Sequence, residues 1–216
     1  MKNKQLYLTR GSFALLLFMI LGYTVKFHSQ QLTGFDTSIQ TALRGDLPQG
    51  LTVFFSTITS FINTPVIVSW VLLVIVFFLF KKWRSEAILL FGNLVASGLL
   101  VLILKNIYQR PRPAIQHLVE ESGFSFPSGH ALASTLVFGS LIIIVGQHIH
   151  NKVKKRIVQG LFLVAILMIV SSRVYLGVHY PTDVTASMLL GFSILSIEFP
   201  FYDQLRFQWR FKGKQR

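Results

Sequence analysis

Three groups of residues in this chain have the types and spacing to do chemistry. The first is Phe124–Ala131, reading FSFPSGHA, a Pro-Ser-Gly-His turn that runs straight into the apolar stretch Ala131 to Val145. Pro127 fixes the entry, Ser128 is a good N-cap, and Gly129 lets the backbone approach a ligand closely. A helix N-terminus offers unpaired N–H groups and a partial positive charge, so it binds anions readily. His130 stands at that opening and titrates near neutral pH. Taken alone, the tetrapeptide also describes an ordinary tight turn that starts a helix.

The second group is Lys105, Arg110 and Arg112, three cations within the eight residues that run from Lys105 to Arg112. A single lysine near a helix end ordinarily snorkels to the interface. Here Pro111 and Pro113 stop the helix, and guanidinium groups on a stiff loop suit phosphate oxygens, which arginine engages two at a time. The third group is Ser172, Arg173, His179 and Asp183. A charge such as Arg173 costs ~2.5–3.5 kcal/mol at the centre of a membrane and less near its surface, so it marks a functional candidate. Asp183 follows His179 by four residues, about one helical turn. A carboxylate there can hold one imidazole nitrogen and leave the other free and more basic, the logic of an oriented catalytic histidine. Pro181 suits the first turn of a following helix. By itself the His–Asp pair also reads as a helix cap.

The elements that must position these groups are membrane spans. The 216 residues are 52% hydrophobic and only 13% charged, far from ordinary soluble composition. A spanning helix needs ~20 mostly apolar residues. Five segments are strong candidates, Phe13–Phe27, Pro65–Phe80, Glu86–Tyr108, His130–Gln147 and Ile157–Tyr175, followed by a less uniform sixth, Asp183–Tyr202. The expectation is an all-α bundle of six transmembrane helices forming one membrane-embedded domain over residues 1–216. Cysteine is absent, which removes disulfide and thiol chemistry.

The net charge of +13 invites a nucleic-acid reading, but the positions of the charges argue for a membrane. Lys2, Lys4 and Arg10 precede the first span, Lys81, Lys82 and Arg84 follow the second, and Lys152, Lys154, Lys155 and Arg156 separate the fourth and fifth. Arg206, Arg210, Lys212, Lys214 and Arg216 form the tail. Threading six spans puts all of these on one face, the positive-inside pattern with both termini cytoplasmic. Such clusters also attract anionic headgroups. No nucleic-acid partner is expected. The basic N-terminus with its apolar run also resembles a secretory signal, but no small-x-small cleavage site follows, so a retained span is expected.

Outside the spans the signals are weaker. Phe35, Ile39, Ala42 and Leu43 recur at helical spacing and predict a short surface helix. Asp36 and Asp46 read as solvated or capping residues. Residues 51–63 read as an interfacial segment or an extension of the second span, with a break at Pro65. His117, Glu120 and Glu121 read as an exposed loop.

Threading brings the three groups together. The third span ends outside at Lys105–Arg112, the fourth starts outside at Ser128–His130, and the fifth ends and the sixth starts outside at Arg173 and His179–Asp183. A turn, a snorkelling lysine and a cap each account for one group; none accounts for all three meeting on one face. Three cations, a helix N-terminus, two histidines and a carboxylate describe a phosphate pocket with a nucleophile and an acid.

Lys105-x6-Arg112-Pro113, then Pro127-Ser128-Gly129-His130, then Ser172-Arg173-x5-His179-x3-Asp183, resemble the three-part signature of the type 2 phosphatidic acid phosphatase superfamily, in its membrane lipid phosphatase branch. The resemblance is complete in residue type, order and spacing, and only the Arg112-Pro113 register fits, which leaves Arg110 an auxiliary cation at most. It implies metal-independent hydrolysis of a phosphoester or pyrophosphate through a phosphohistidine: His179 attacks phosphorus, Asp183 orients it, and His130 protonates the leaving oxygen. Lys105, Arg112, Arg173, Ser128 and the Gly129 N–H hold the phosphoryl oxygens. Phosphoryl transfer is mostly positioning and charge stabilisation, so this agrees with the residues' own chemistry.

Other chemistries are weaker fits. One carboxylate is thin ligation for Mg²⁺, and three cations disfavour Zn²⁺ on His130, His179 and Asp183; no metal or cofactor is expected. Ser128 or Ser172 as nucleophile suffers from poor spacing to His130. A transporter or a lipid-phosphate-binding protein without turnover needs the cations but not two histidines and an orienting carboxylate. The expected partners are the bilayer and a lipid phosphate: undecaprenyl pyrophosphate, phosphatidylglycerophosphate, or phosphatidic or lysophosphatidic acid. The expected place is the cell membrane, with the site facing outside.

Overall fold

Apolar stretches with few helix breakers, separated by loops rich in proline, glycine and charge, leave the backbone one way to satisfy itself in hydrocarbon, which is the helix. In the computed structural model, which describes residues 3–61 and 63–212, every regular element among the described residues is helical. The order is α1 (Lys4–Phe27), a 3-10 turn at Ser29–Leu32, α2 (Thr33–Arg44), α3 (Gln49–Phe61), α4 (Thr64–Phe80), α5 (Arg84–Tyr108), α6 (Gly129–His148), α7 (Lys152–Tyr175) and α8 (Pro181–Lys212). Among the described residues, α1, α5, α6, α7 and the Pro181–Arg210 part of α8 are long and apolar enough to cross a membrane.

The second expected span is the one that differs. Alone, α4 has 17 residues. Together with α3 it is long and apolar enough for a sixth span, but the two are bent by 52° at the break. Pro65 sits in the first turn of α4, where its missing N–H costs nothing. Residues 51–61 are therefore helical, within α3, and distinct from α4. The first span begins at Lys4 rather than Phe13, because nothing in Lys4–Ser12 breaks a helix. Its contact with α8 is close: Ser193 Oγ donates to the Gly11 carbonyl at 2.8 Å.

Caps fix where the site-bearing helices begin. Ser128 Oγ accepts from the Ala131 N–H at 3.4 Å and starts α6. Asn151 Oδ1 accepts from the N–H groups of Val153 and Lys154, both at 3.0 Å, and starts α7. Helix α8 starts on Pro181, as the sequence predicts. At the other end of α5, Gln109 turns the chain in the left-handed region at φ 50° ahead of Pro111.

Helix α6 is the hub, packed against α5, α7 and α8, while α1 lies along α8 and α4 along α5. Phe126, Leu132, Leu136, Ala186 and Leu190 form a buried layer that locks α6 to α8. Near the site, Tyr175, Leu176 and Val178 are fully buried against Leu43, Phe55 and Leu118. Outward faces carry large apolar side chains such as Phe13, Phe80, Leu102 and Leu161, which suits lipid contact.

Candidate active site

The four helix ends that the sequence predicts on one face do meet. A cavity of about 330 Å³ is lined at one end by Lys105, Glu121, Gly129, His130 and His179. The rest of its lining is largely apolar: Ile67 and Val68 of α4, Leu94 and Val101 of α5, and Ala133 of α6, with Ser97 and Gly98 of α5. Arg112, Arg173 and Asp183 stand one contact behind the polar end. Ser128 is fully buried and outside the lining, its hydroxyl engaged in the cap of α6.

His179 is held from several sides. Its N–H donates to the Arg173 carbonyl at 3.3 Å, and its own carbonyl accepts from Gln40 Nε2 at 3.3 Å. Its Nδ1 lies 3.4 Å from Asp183 Oδ2, an ion-pair contact that falls short of hydrogen-bond alignment. Asp183 is itself fixed: Oδ2 accepts from the Tyr180 N–H at 2.9 Å and Oδ1 from Arg110 Nη1 at 2.6 Å. Gly177 makes the turn before His179 possible. Its φ is +80°, and a Cβ there would collide with Arg44 Nη1 and the Gln116 carbonyl.

The cations are anchored by the loop 109–128. Arg112 donates from Nε to the Gly123 carbonyl at 3.0 Å, from Nη1 to Val178 at 2.7 Å and from Nη2 to Ser122 at 2.9 Å. Arg173 is 1% exposed and donates from Nη2 to Glu121 Oε1. Glu121 Oε2 lies 3.2 Å from Arg112 Nη2, and Oε1 lies 3.9 Å from His130 Nδ1. Arg173 Nε and His130 Nε2 are buried with no hydrogen-bond partner among the described residues.

Electrostatics favour the neutral form of His179. Burial pushes its pKa below the ordinary histidine value, and the cations Arg173 and Arg112 push the same way, while Asp183 opposes them. Burial pushes the Glu121 carboxyl up, but Arg173, His130, Arg112 and His179 outweigh it and hold it below the usual carboxylate range. The site therefore presents a neutral imidazole and an ionised carboxylate among fixed cations at neutral pH. Among the described residues no three His, Cys, Asp or Glu side chains come together to hold a metal ion.

Two expectations are corrected. Glu121 is no exposed loop residue: it lines the cavity and joins Arg112 to Arg173. Asp36 is no solvated or capping residue: it is 1% exposed and pairs with Arg110 at 2.8 Å. The surface helix forms as predicted, and its polar stripe is buried. Asp36, Gln40 and Arg44 point inward, while Phe35 and Ile39 are exposed. The i, i+4, i+8 polar stripe was the available signal. Arg110 holds carboxylates rather than facing the cavity.

Comparison with known proteins agrees with this geometry. The family model of the PAP2 superfamily matches residues 86–207, more than half of the chain, and the chain belongs to that superfamily. Over 141 residues, 64% of the chain, it is 36% identical to phosphatidylglycerophosphatase B of Bacillus subtilis (strain 168), covering 66% of that protein. The chain thus spans just under two thirds of that relative's length. Over 153 residues, 68% of the chain, it is 28% identical to undecaprenyl-diphosphatase BcrC of the same organism, covering 74% of it. Among solved structures it is similar to a transmembrane PAP2-type phosphatidylglycerolphosphate phosphatase from Bacillus subtilis. The TM-score is 0.81 at 26% identity, over 90% of this chain and 96% of that one. The bundle is the PAP2 membrane fold.

Proposed function

We propose that this protein hydrolyses a phosphate ester or pyrophosphate on a membrane lipid without a metal ion, by way of a phosphohistidine on His179. The nitrogen of His179 that faces away from Asp183 attacks phosphorus. The bond from phosphorus to the leaving oxygen breaks as His130 delivers a proton to that oxygen. Water, deprotonated by the same His130, then attacks phosphorus, the P–N bond breaks, and inorganic phosphate leaves. Lys105, Arg112, Arg173, Ser128 and the Gly129 N–H hold the phosphoryl oxygens, with Asp183 fixing the ring of His179. Cations take the place that a divalent metal fills in other phosphoryl-transfer sites.

One observation carries this reading. His130 Nε2, buried and without a partner among the described residues, stands with Lys105 and His179 on the lining of a cavity that is otherwise largely apolar, and a second unpartnered nitrogen, Arg173 Nε, lies just behind them. An unpartnered buried donor costs about 1–3 kcal/mol, which a bound phosphoryl oxygen recovers. The apolar wall of Ile67, Val68, Leu94 and Val101 suits a lipid tail. The names of the relatives support phosphatidylglycerophosphate and undecaprenyl pyrophosphate as substrates, with phosphatidic acid a further candidate. The basic residues at the far ends of the helices support cytoplasmic termini and a site facing outside, in a multi-pass protein of the cell membrane acting as one membrane-embedded unit.

The test is phosphate release by detergent-purified protein in excess EDTA, on these three lipids, with His179→Ala as control. Activity that survives EDTA and vanishes in the variant supports the mechanism, and the ranking names the substrate. Activity lost to EDTA and restored by a divalent ion sinks the metal-free claim. Lipid binding without phosphate release would make the protein a lipid-phosphate binder.

A further inference from the structure

Arg110 lies behind the cavity, yet it is the most heavily engaged side chain beside Asp183. Its Nη1 donates to Asp183 Oδ1 at 2.6 Å and to Thr182 Oγ1 at 2.7 Å. Its Nη2 donates to Asp36 Oδ2 at 2.8 Å, and its guanidinium plane rests 3.8 Å from the centre of the Tyr180 ring. Asp36 accepts in addition from the Thr182 N–H at 2.9 Å and from Thr182 Oγ1 at 2.8 Å. Arg110, Asp36 and Asp183 are all buried.

We propose that Arg110, clamped by Asp36 of α2, is a positioning residue for Asp183, and that α2 is thereby an integral part of the active site. The inference rests on the proposed function in taking His179 as nucleophile and Asp183 as its orienting partner. A buried carboxylate must have its oxygens satisfied, and Arg110 supplies the partner for Oδ1 while Tyr180 N–H supplies the one for Oδ2. Only a guanidinium fork can face two carboxylates at once from a fixed plane; an ammonium group is a point charge on a flexible stem. Asp36 in turn shares the cation, so Asp183 keeps enough negative charge to hold His179. The rest of the inward face of α2 grips the same segment. Gln40 binds the His179 carbonyl, and Arg44 binds the carbonyls of Tyr175 at 2.9 Å and Gln116 at 2.8 Å.

The other charged groups facing His179 are Arg173 from α7 and Arg112 and Glu121 from the loop, with Lys105 of α5 and His130 of α6 on the same cavity. All stay in place in the variants that test the proposal. Removing the Arg110 charge leaves Asp183 undivided toward His179 and raises the imidazole's proton affinity. Removing the Asp36 charge leaves Arg110 undivided toward Asp183 and lowers it.

The experiment follows the titration of His179 by NMR in ¹⁵N-histidine-labelled full-length protein in micelles, with His179→Ala to assign the signal, alongside phosphate release. Arg110→Gln is expected to shift the titration upward by about one pH unit, Asp36→Asn to shift it downward, and Arg110→Lys to leave it near wild type. Turnover is expected to fall by about 100-fold in Arg110→Gln, the scale of a misplaced catalytic group, and to recover in part in Arg110→Lys. Shifts of the same sign in Arg110→Gln and Asp36→Asn, or none, overturn the proposal even if both lose activity. Wild-type protein that releases no phosphate sinks the proposed function, while the titrations still decide this inference.

Discussion

One oxygen of Glu121 is shared between Arg173 and His130: Oε1 accepts from Arg173 Nη2 and lies 3.9 Å from His130 Nδ1. The other oxygen lies 3.2 Å from Arg112 Nη2. A carboxylate therefore rests on both guanidinium groups proposed to hold the phosphoryl group. An incoming phosphate must share or displace it, since like charges at this distance repel. Glu121→Gln keeps the shape and removes the charge. It is expected to tighten competitive inhibition by inorganic phosphate about tenfold, equivalent to ~1.4 kcal/mol. The measurement is the inhibition constant at fixed pH, and an unchanged value means the carboxylate does not compete.

The pH dependence follows from His179. Burial lowers its pKa, Arg173 and Arg112 add to the effect, and Asp183 opposes it. The attacking form is the neutral imidazole, which persists as pH falls until the lowered pKa is reached. The acid limb of kcat/KM, which reports the free enzyme, is therefore expected below the ordinary histidine value of about 6.5. Glu121 is likewise held below the usual carboxylate range. A limb at or above pH ~6.5 contradicts this assignment.

The sequence puts the ends of α5, α6, α7 and α8 on one face, and there Lys105, His130 and His179 line one cavity with Arg112 and Arg173 just behind it. The spans were legible because hydrocarbon tolerates few alternatives to the helix. What was not legible depends on loops and on a helix lying outside the spans. Glu121 sits in a polar loop whose path is set by contacts distant in sequence, such as the Leu118 N–H on the Leu176 carbonyl at 3.0 Å. Asp36 belongs to a helix that the sequence predicts only as a short surface helix, with no partner for its polar side chains. In the fold Asp36, Gln40 and Arg44 turn toward the loop ends of α5, α7 and α8, contacts distant in sequence.

The turn at Gly177 offers a test of how tightly His179 is placed. An alanine there would need φ near +80° and would press its Cβ on Arg44 and the Gln116 carbonyl. The left-handed conformation alone costs roughly 1–2 kcal/mol for a residue with a Cβ. Gly177→Ala is expected to lower Tm by about 2–8 °C, at 2–4 °C per kcal/mol for a chain of this size. It is also expected to reduce kcat more than it raises KM, because the apolar lining of the cavity on α4 and α5 is untouched. Thermal unfolding in detergent and steady-state kinetics check both; wild-type kcat would mean that His179 tolerates movement of its turn.

Ser187 ties the two histidine-bearing ends together. Its hydroxyl accepts from the Ser128 N–H at 2.9 Å and donates to the Asp183 carbonyl at 2.7 Å, and the residue is fully buried. The start of α6, which carries His130, is thus pinned to the turn of α8 that carries Asp183. Ser187→Ala removes little volume but strands the Ser128 N–H in a dry environment, at a cost of about 1–3 kcal/mol. The strain is relieved most easily by a shift of the α6 N-terminus, which displaces His130 relative to His179. The expected result is a fall in kcat of about tenfold or more with KM little changed, since misplacing a catalytic group affects the transition state first. Faster hydrogen exchange at the Ser128 amide is expected alongside it. A variant with wild-type kcat and faster exchange would show that the acid and the nucleophile do not depend on this link.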